Sequence, residues 1–292
     1  MGEVMSSNQR GNWVWFAVGI MSAGLILPAF ASAQAPPADN RQTTTSNTLT
    51  ETDSNRASQQ LEDAYLRQTM GDPKEEAAYQ AFRKADEPAK KIKLGNAFLA
   101  KYPGDRYSEA VYEELSQSYY DSKDLTSFYT FSDRGLSLFP DDVHLLALSG
   151  WVAPRAFSAD DPDGDKKLDK AESREKHALE VLATMSKPAT FTDDQFAQFK
   201  TGESAEAHSG LGLIYFRREK YEESAKELQA AIPGEASLDP TDLFVLGADY
   251  ENMGQHKEAA DAFNRCAQIA GGMQDKCKQL ASASLNEAAG AK

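Results

Sequence analysis

An internal repeat constrains this chain more than any other feature. The segment LGLIYFRREKYEESAKELQAAI (211–232) lies over LGADYENMGQHKEAADAFNRCA (246–267) at a constant offset of 35 residues. Leu211-Gly212 falls on Leu246-Gly247, Tyr215 on Tyr250, Tyr221 on His256, Ser224 on Ala259, Leu228 on Phe263 and Ala231 on Cys266. Upstream, 115–140 carries Leu115, Tyr119, Leu125, Gly135-Leu136 and Pro140 at the same relative places. AFLAKYPGD (97–105) echoes RGLSLFPDD (134–142) at an offset of 37 residues. From about residue 61 onward apolar residues recur with helical spacing, and strand-like alternation is absent. A unit of this length cannot bury its apolar face alone, so neighbouring copies must stack.

The pattern resembles the tetratricopeptide repeat family: a Leu-Gly, a Tyr three residues after the Gly, an Ala and an aromatic on a second helix, and a closing Pro. The small Gly on the first helix lets the second approach closely, large residues fill the space between, and proline stops the second helix. The resemblance implies an all-α fold, a right-handed superhelical solenoid of about five helix-turn-helix pairs plus a C-terminal capping helix. The pairs fall at 74–102, 106–140, 142–186, 193–233 and 239–269, and the best-matching repeats at 106–140, 205–238 and 239–272. The first pair is degenerate, with Lys91 and Gly95 where other residue types are expected. In the third, Ser149-Gly150 keeps the Leu-Gly place poorly, and about nine extra residues separate its helices. TDDQ (192–195) has the form of a capping box. After Gly271-Gly272, the stripe Met273, Cys277, Leu280 marks a capping helix at 273–289. Together 61–292 reads as one repeat domain.

The two segments before it are of another kind. An apolar run at 13–30 follows Arg10, Pro28 interrupts it, and Ala31 and Ala33 stand at the small-residue positions of a signal-peptidase site. The expectation is a signal peptide over 1–33, cut before Gln34; an uncleaved membrane anchor is the other reading of the same run. Residues 34–60, rich in Thr, Ser, Asn and Gln, contain a single larger aliphatic, Leu49, and read as a disordered tether. Export places the mature chain in the periplasm or outside the cell, without membrane insertion after cleavage.

The formal charge of −14 opposes contact with phosphate backbones, so nucleic acid is not an expected partner. No HExxH, GxSxG, GxGxxG or GxxxxGK[ST] occurs. The four histidines, His144, His177, His208 and His256, all fall within helices of the repeat frame and read as half-buried packing residues. The two cysteines cannot form a zinc site by themselves. Cys266 replaces a small residue of the last repeat, and Cys277 lies on the capping-helix stripe that packs there. A disulfide stapling cap to repeat is one reading, two buried thiols the other.

DDPDGDKKLDKAE (160–172) fills the insertion in the third pair. As a calcium loop it offers Asp161, Asp163, Asp165 and a bidentate Glu172, with Leu168 as apolar anchor. Lys166 stands where the motif requires a turn glycine, and Lys167 adds a second positive charge. The alternative is a turn at Pro162 and Gly164, with Asp165 capping the second helix and no cofactor at all.

The resemblance also implies a partner-binding groove lined by first-helix side chains. Those places hold Gln117, Tyr120, Trp151, Arg155, Leu213, Phe216, Arg217, Phe244, Glu251 and Asn252. Aromatics beside arginine are usual anchors of a peptide-binding surface. The Lys/Asn clamp by which some family members hold a C-terminal carboxylate is not matched, because Glu113, Ala147, Ser209 and Phe244 occupy its lysine places. The expected activity is that of a non-enzymatic exported scaffold for a protein or peptide, cell-envelope components included. A calcium-responsive structural module and an envelope enzyme on a helical superhelix are the alternatives.

Overall fold

In the computed structural model, residues 72–188, 191–234 and 238–290 are described. The signal peptide and tether expected over 1–60 lie outside them. The described residues form eleven α-helices and no strand: α1 (Pro73–Arg83), α2 (Pro88–Lys101), α3 (Ser108–Asp121), α4 (Leu125–Leu138), α5 (Val143–Arg155), α6 (Gly164–Thr184), α7 (Asp193–Arg217), α8 (Tyr221–Ala231), α9 (Pro240–Asn252), α10 (His256–Ala267) and α11 (Gln274–Gly290). They divide into two compact units, α1–α4 ending at Leu138 and α5–α11 beginning from Phe139.

Helix starts follow from capping chemistry. Asp72 accepts from the Lys74 amide ahead of Pro73, Asp142 from Leu145, and Asp239 from Thr241 ahead of Pro240. At α7 the capping box is complete. Thr192 Oγ1 accepts from the Gln195 amide at 3.2 Å, and Gln195 Oε1 accepts from the Thr192 amide at 2.9 Å.

The turns repeat as faithfully as the helices. In α3–α4, α7–α8 and α9–α10 the first helix ends with one left-handed residue: Lys123 (φ 61°), Glu219 (φ 59°) and Gly254 (φ 72°). The next amide then bonds back to the carbonyl of the motif tyrosine: Asp124 to Tyr119, Lys220 to Tyr215 and Gln255 to Tyr250, at 2.8–3.0 Å. This satisfies the free carbonyls at the helix end. The α5–α6 connection breaks the pattern. Residues 156–163 replace the three-residue turn of those three pairs, and α6 runs to 21 residues. The helix opens at Gly164, two residues earlier than the sequence suggests, so Asp165 is not its cap. Asp161 Oδ1 instead accepts from the Asp163 amide at 3.0 Å and closes the turn.

Packing within the pairs turns on the motif glycines. A Cβ added at Gly212 would lie 2.6 Å from Leu228 Cγ, and one at Gly247 would lie 2.6 Å from Phe263 Cε1. The large residue of the second helix therefore rests directly on the backbone of the first. In the α1–α4 unit, Gly95 on α2 receives Phe82 of α1 in the reverse sense, with 2.8 Å available. At the C-terminal end α11 packs on α10, burying Cys277, Ala281 and Ser284.

Candidate functional site

The α5–α11 unit gathers charged residues on its first helices. α5 packs on both α6 and α7, and α6 packs on α7. Arg155, in the last turn of α5, is the centre of this arrangement. Its Nη2 donates to Ser209 Oγ of α7 at 2.9 Å, Asp239 Oδ2 at 2.9 Å and Asp242 Oδ1 at 2.8 Å. Its Nη1 donates to the Trp151 carbonyl at 3.2 Å, and its guanidinium lies 3.7 Å from the Trp151 ring centroid. One side chain thus ties α5 and α7 to the start of α9 and braces an indole face. Charge-assisted bonds and close cation–π contact are strong when desolvated; the Arg155 side chain is 7% exposed and that of Asp242 is fully buried. Arg217 continues the surface, donating to the Pro154 carbonyl at 3.2 Å and lying 5.6 Å from the Phe157 ring.

Beside this node is a carboxyl cluster that the repeat pattern did not single out. Glu175 of α6 is completely buried, and neither oxygen has a hydrogen-bond partner. It lies between two glycines of different helices: a Cβ on Gly150 would be 2.6 Å from its Cγ, and one on Gly210 would be 2.7 Å from its Cδ. Glu206 and Glu203, one and two turns before Gly210 on α7, complete the cluster. Glu206 Oε1 and Glu203 Oε2 are occluded without partners, and Glu203 Oε1 sits 3.2 Å from His144 Nδ1. Burial, then the charge of Glu206, push the Glu175 carboxyl well above the carboxylate range, against the opposing pull of Arg155. Burial and the charge of Glu203 raise Glu206 to about 7, with His144 and Arg155 opposing.

Glu175 was legible in one respect. Leu228 follows Gly212, and Phe263 follows Gly247, by sixteen residues; Glu175 follows Gly150 by twenty-five, the excess being the nine-residue insertion. Counting through the insertion puts a carboxyl in the position of the large apolar residue.

The expected groove residues separate into several environments. Gln117 and Tyr120 belong to the α1–α4 unit, where Gln117 Nε2 donates to Asp121 at 2.8 Å and Tyr120 tilts against Phe128. The other eight lie in the α5–α11 unit. Leu213 is not a groove residue: at 3% exposure it packs in the core with Ala225, Leu228 and Leu243. Phe216 and Phe244 are partly buried against the same core, edge-on to Tyr221 and Phe263 respectively. Glu251 Oε2 pairs with His256 Nδ1 at 2.9 Å, and the exposed Asn252 donates to its own helix at the Ala248 carbonyl. The structure therefore unites Trp151, Arg155 and Arg217, while the remaining residues pack locally.

Two aspartates of the acidic loop are paired with its own lysines. Lys166 pairs with Asp163 at 2.8 Å and Lys167 with Asp161 at 2.5 Å. Glu172 turns away to α7, accepting from Tyr215 at 3.1 Å, Lys176 at 2.6 Å and Arg218. Burial works to raise its carboxyl, but these bonds and the adjacent charges hold it down at about 2. Asp161, Asp163, Asp165 and Glu172 thus do not converge as the calcium reading requires. Among the described residues no group of three or more His, Cys, Asp or Glu is placed to hold a metal. The lysines that replace the turn glycine and its neighbour occupy the carboxylates instead.

Each histidine meets a carboxylate: His144 with Glu203, His177 with Asp141, His208 with Glu227 and His256 with Glu251. His144 joins α5 to α7 and His208 joins α7 to α8, so these rings act as connectors between helices. Cys266 and Cys277, both fully buried, are joined in a disulfide with Cα atoms 5.8 Å apart.

Helix pairs with a glycine seat under the second helix, a repeated left-handed turn and a disulfide-joined terminal helix define an all-helical fold of repeated helix pairs, as the resemblance to tetratricopeptide repeats implies. No family model and no curated protein sequence matches the chain. Among solved structures, it is similar to a thermophilic TPR protein of Thermus thermophilus, at 15% identity over 72% of this chain and 98% of that one, with a TM-score of 0.48. It is also similar to a tetratricopeptide repeat protein of Parabacteroides merdae, at 12% identity over 72% and 96%, with a TM-score of 0.27.

Proposed function

We propose that this chain is an exported, non-enzymatic scaffold that binds a protein or peptide through the first-helix layer of the α5–α11 unit. The observation that carries the reading is the Trp151–Arg155 stack, held by Ser209, Asp239 and Asp242 from two other helices. An aromatic fixed in this way loses little conformational freedom when a partner covers it, which favours it as a binding anchor. Helical repeats supply such surfaces because each repeat adds one more first helix to the same layer. The overall charge of −14 favours a partner segment carrying lysine or arginine.

Export rests on the apolar run at 13–30 and the Ala31, Ala33 pair. The test is cross-linking of the full chain in the cell, comparing Trp151→Ala with the native protein and verifying helicity by circular dichroism. Loss of the cross-linked partner at unchanged helicity supports the reading. Equal capture by Trp151→Ala contradicts it.

A further inference from the structure

Glu175 is costly where it stands. A carboxylate removed from water without a hydrogen bond is strongly disfavoured, and a buried group in that position neutralises instead. Leu228 and Phe263 fill the equivalent seat against their own glycines, so the packing there needs only bulk. A polar group at this place, unpartnered and aimed at two further carboxyls, performs a task that packing does not explain.

The groups facing it come from every helix in contact. From α7 come Glu203 and Glu206; from α5 comes Arg155, together with His144, which faces Glu206; and α6 itself adds Arg174. Arg155 is already committed to Asp239 and Asp242 of α9, and His144 to Glu203. The positive charge nearest the cluster is therefore shared among other acids. Glu175 and Glu206 together cannot both ionise without repulsion in a space closed by Gly150 and Gly210.

We propose that Glu175 and Glu206 form a proton-operated latch between α6 and the α5–α7 layer: closed while the pair holds its protons, loosened when they leave to solvent. The elements that respond are α6, including the acidic segment at its start, and the middle of α7. The raised carboxyls fix the sign. Both groups have folded-state values above the unfolded ones, so the stabilisation is full in acid below the ordinary carboxylate range. It is lost progressively as pH rises from that range through about 7, where Glu206 titrates, and the raised Glu175 carboxyl contributes with the same sign. The latch does not depend on what the scaffold binds.

The experiment is hydrogen exchange on the full chain between pH 5.5 and 8.5, corrected for intrinsic amide rates, with melting temperature recorded in parallel. For the native protein, protection of α6 and α7 falls about tenfold or more, and Tm falls by roughly 5 °C as pH rises. Glu175→Gln, which removes one of the two titrations but keeps the shape, reduces the response in α6, while that of Glu206 on α7 remains. A pH-independent α6 in the native protein overturns the latch, as does the same fall of α6 in Glu175→Gln. If Glu175→Gln does not fold, infrared spectroscopy of the Asp249→Asn protein decides, because Asp249 is a second buried carboxyl with a raised value. A carboxylic-acid C=O band persisting there at pH 6.5 and vanishing at alkaline pH supports the latch, and absence of that band at pH 6.5 overturns it.

Discussion

Glu175 stands against Gly150 as Phe263 stands against Gly247, a carboxyl in the seat that another repeat gives to a phenyl ring. The same carboxyl also rests on Gly210 of the next first helix, so two helices close on one side chain. A methyl group at Gly210 has no room unless that carboxyl or the α7 backbone moves. Gly210→Ala therefore destabilises the protein by about 1–3 kcal/mol, measured by urea denaturation. Gly202→Ala, on the same helix with open space around it, is the control and should be neutral to slightly stabilising.

Asp249 supplies a second, independent source of pH dependence. It is fully buried; Ser224 Oγ donates to its Oδ2 at 2.6 Å, and its Oδ1 has no partner. Burial raises it to about 8, with the Ser224 bond opposing. The folded-state value lies above the unfolded one, so its contribution is full in acid and disappears as pH climbs toward 8. Asp249→Asn should gain about 1–3 kcal/mol relative to the native protein at pH 9 and little at pH 5. Chemical denaturation at the two pH values measures the difference.

The left-handed turn residues make a third test. Gly254 adopts φ 72° without a side chain to obstruct it, whereas Glu219 adopts φ 59° at the equivalent place one repeat earlier. A non-glycine residue there costs on the order of 1 kcal/mol or more. Glu219→Gly is expected to raise stability by about 0.5–1 kcal/mol in spite of the added freedom of the unfolded chain. An unchanged or lower denaturation midpoint would mean that Glu219 is held by contacts that relieve the strain.

Removing the Cys266–Cys277 bridge should cost about 3 kcal/mol, from the entropy of a loop of this length in the unfolded chain. The double variant Cys266→Ser, Cys277→Ser should show the loss as a lower Tm, with α11 losing hydrogen-exchange protection before α5–α9. Both sulfurs are fully buried, so mild reductant should leave the folded protein intact for longer than it leaves a partly unfolded one.

Much of this architecture could be read from the residues, and the reasons are local. Leu-Gly pairs, the tyrosine after them and the capping box at Thr192 act within one helix pair, so sequence spacing reveals them. Trp151 and Arg155 are named from their repeat positions, but the hydrogen-bond partners of Arg155, Ser209, Asp239 and Asp242, come from other helices and have no signature in spacing. Leu213 was misread because the repeat frame fixes a helix face only to within a fraction of a turn, and the core of α7–α10 takes that side chain. The calcium reading of 160–172 rests on spacing alone, which does not register that Lys166 and Lys167 fold back onto Asp163 and Asp161 or that Glu172 reaches Tyr215 and Arg218. Glu175 was hidden by the insertion, which moves it out of register until the nine extra residues are counted.

The central claim is that the first-helix layer around Trp151 is where a partner binds. Its most direct measurement is photo-crosslinking in the cell from single positions of the full chain, comparing position 158, exposed just beyond α5, with position 226 on the exposed face of α8. One discrete adduct is predicted from position 158, lost when Trp151 is also replaced by alanine, and none from position 226. Adducts of equal yield and identity from both positions, or from 226 alone, would contradict it.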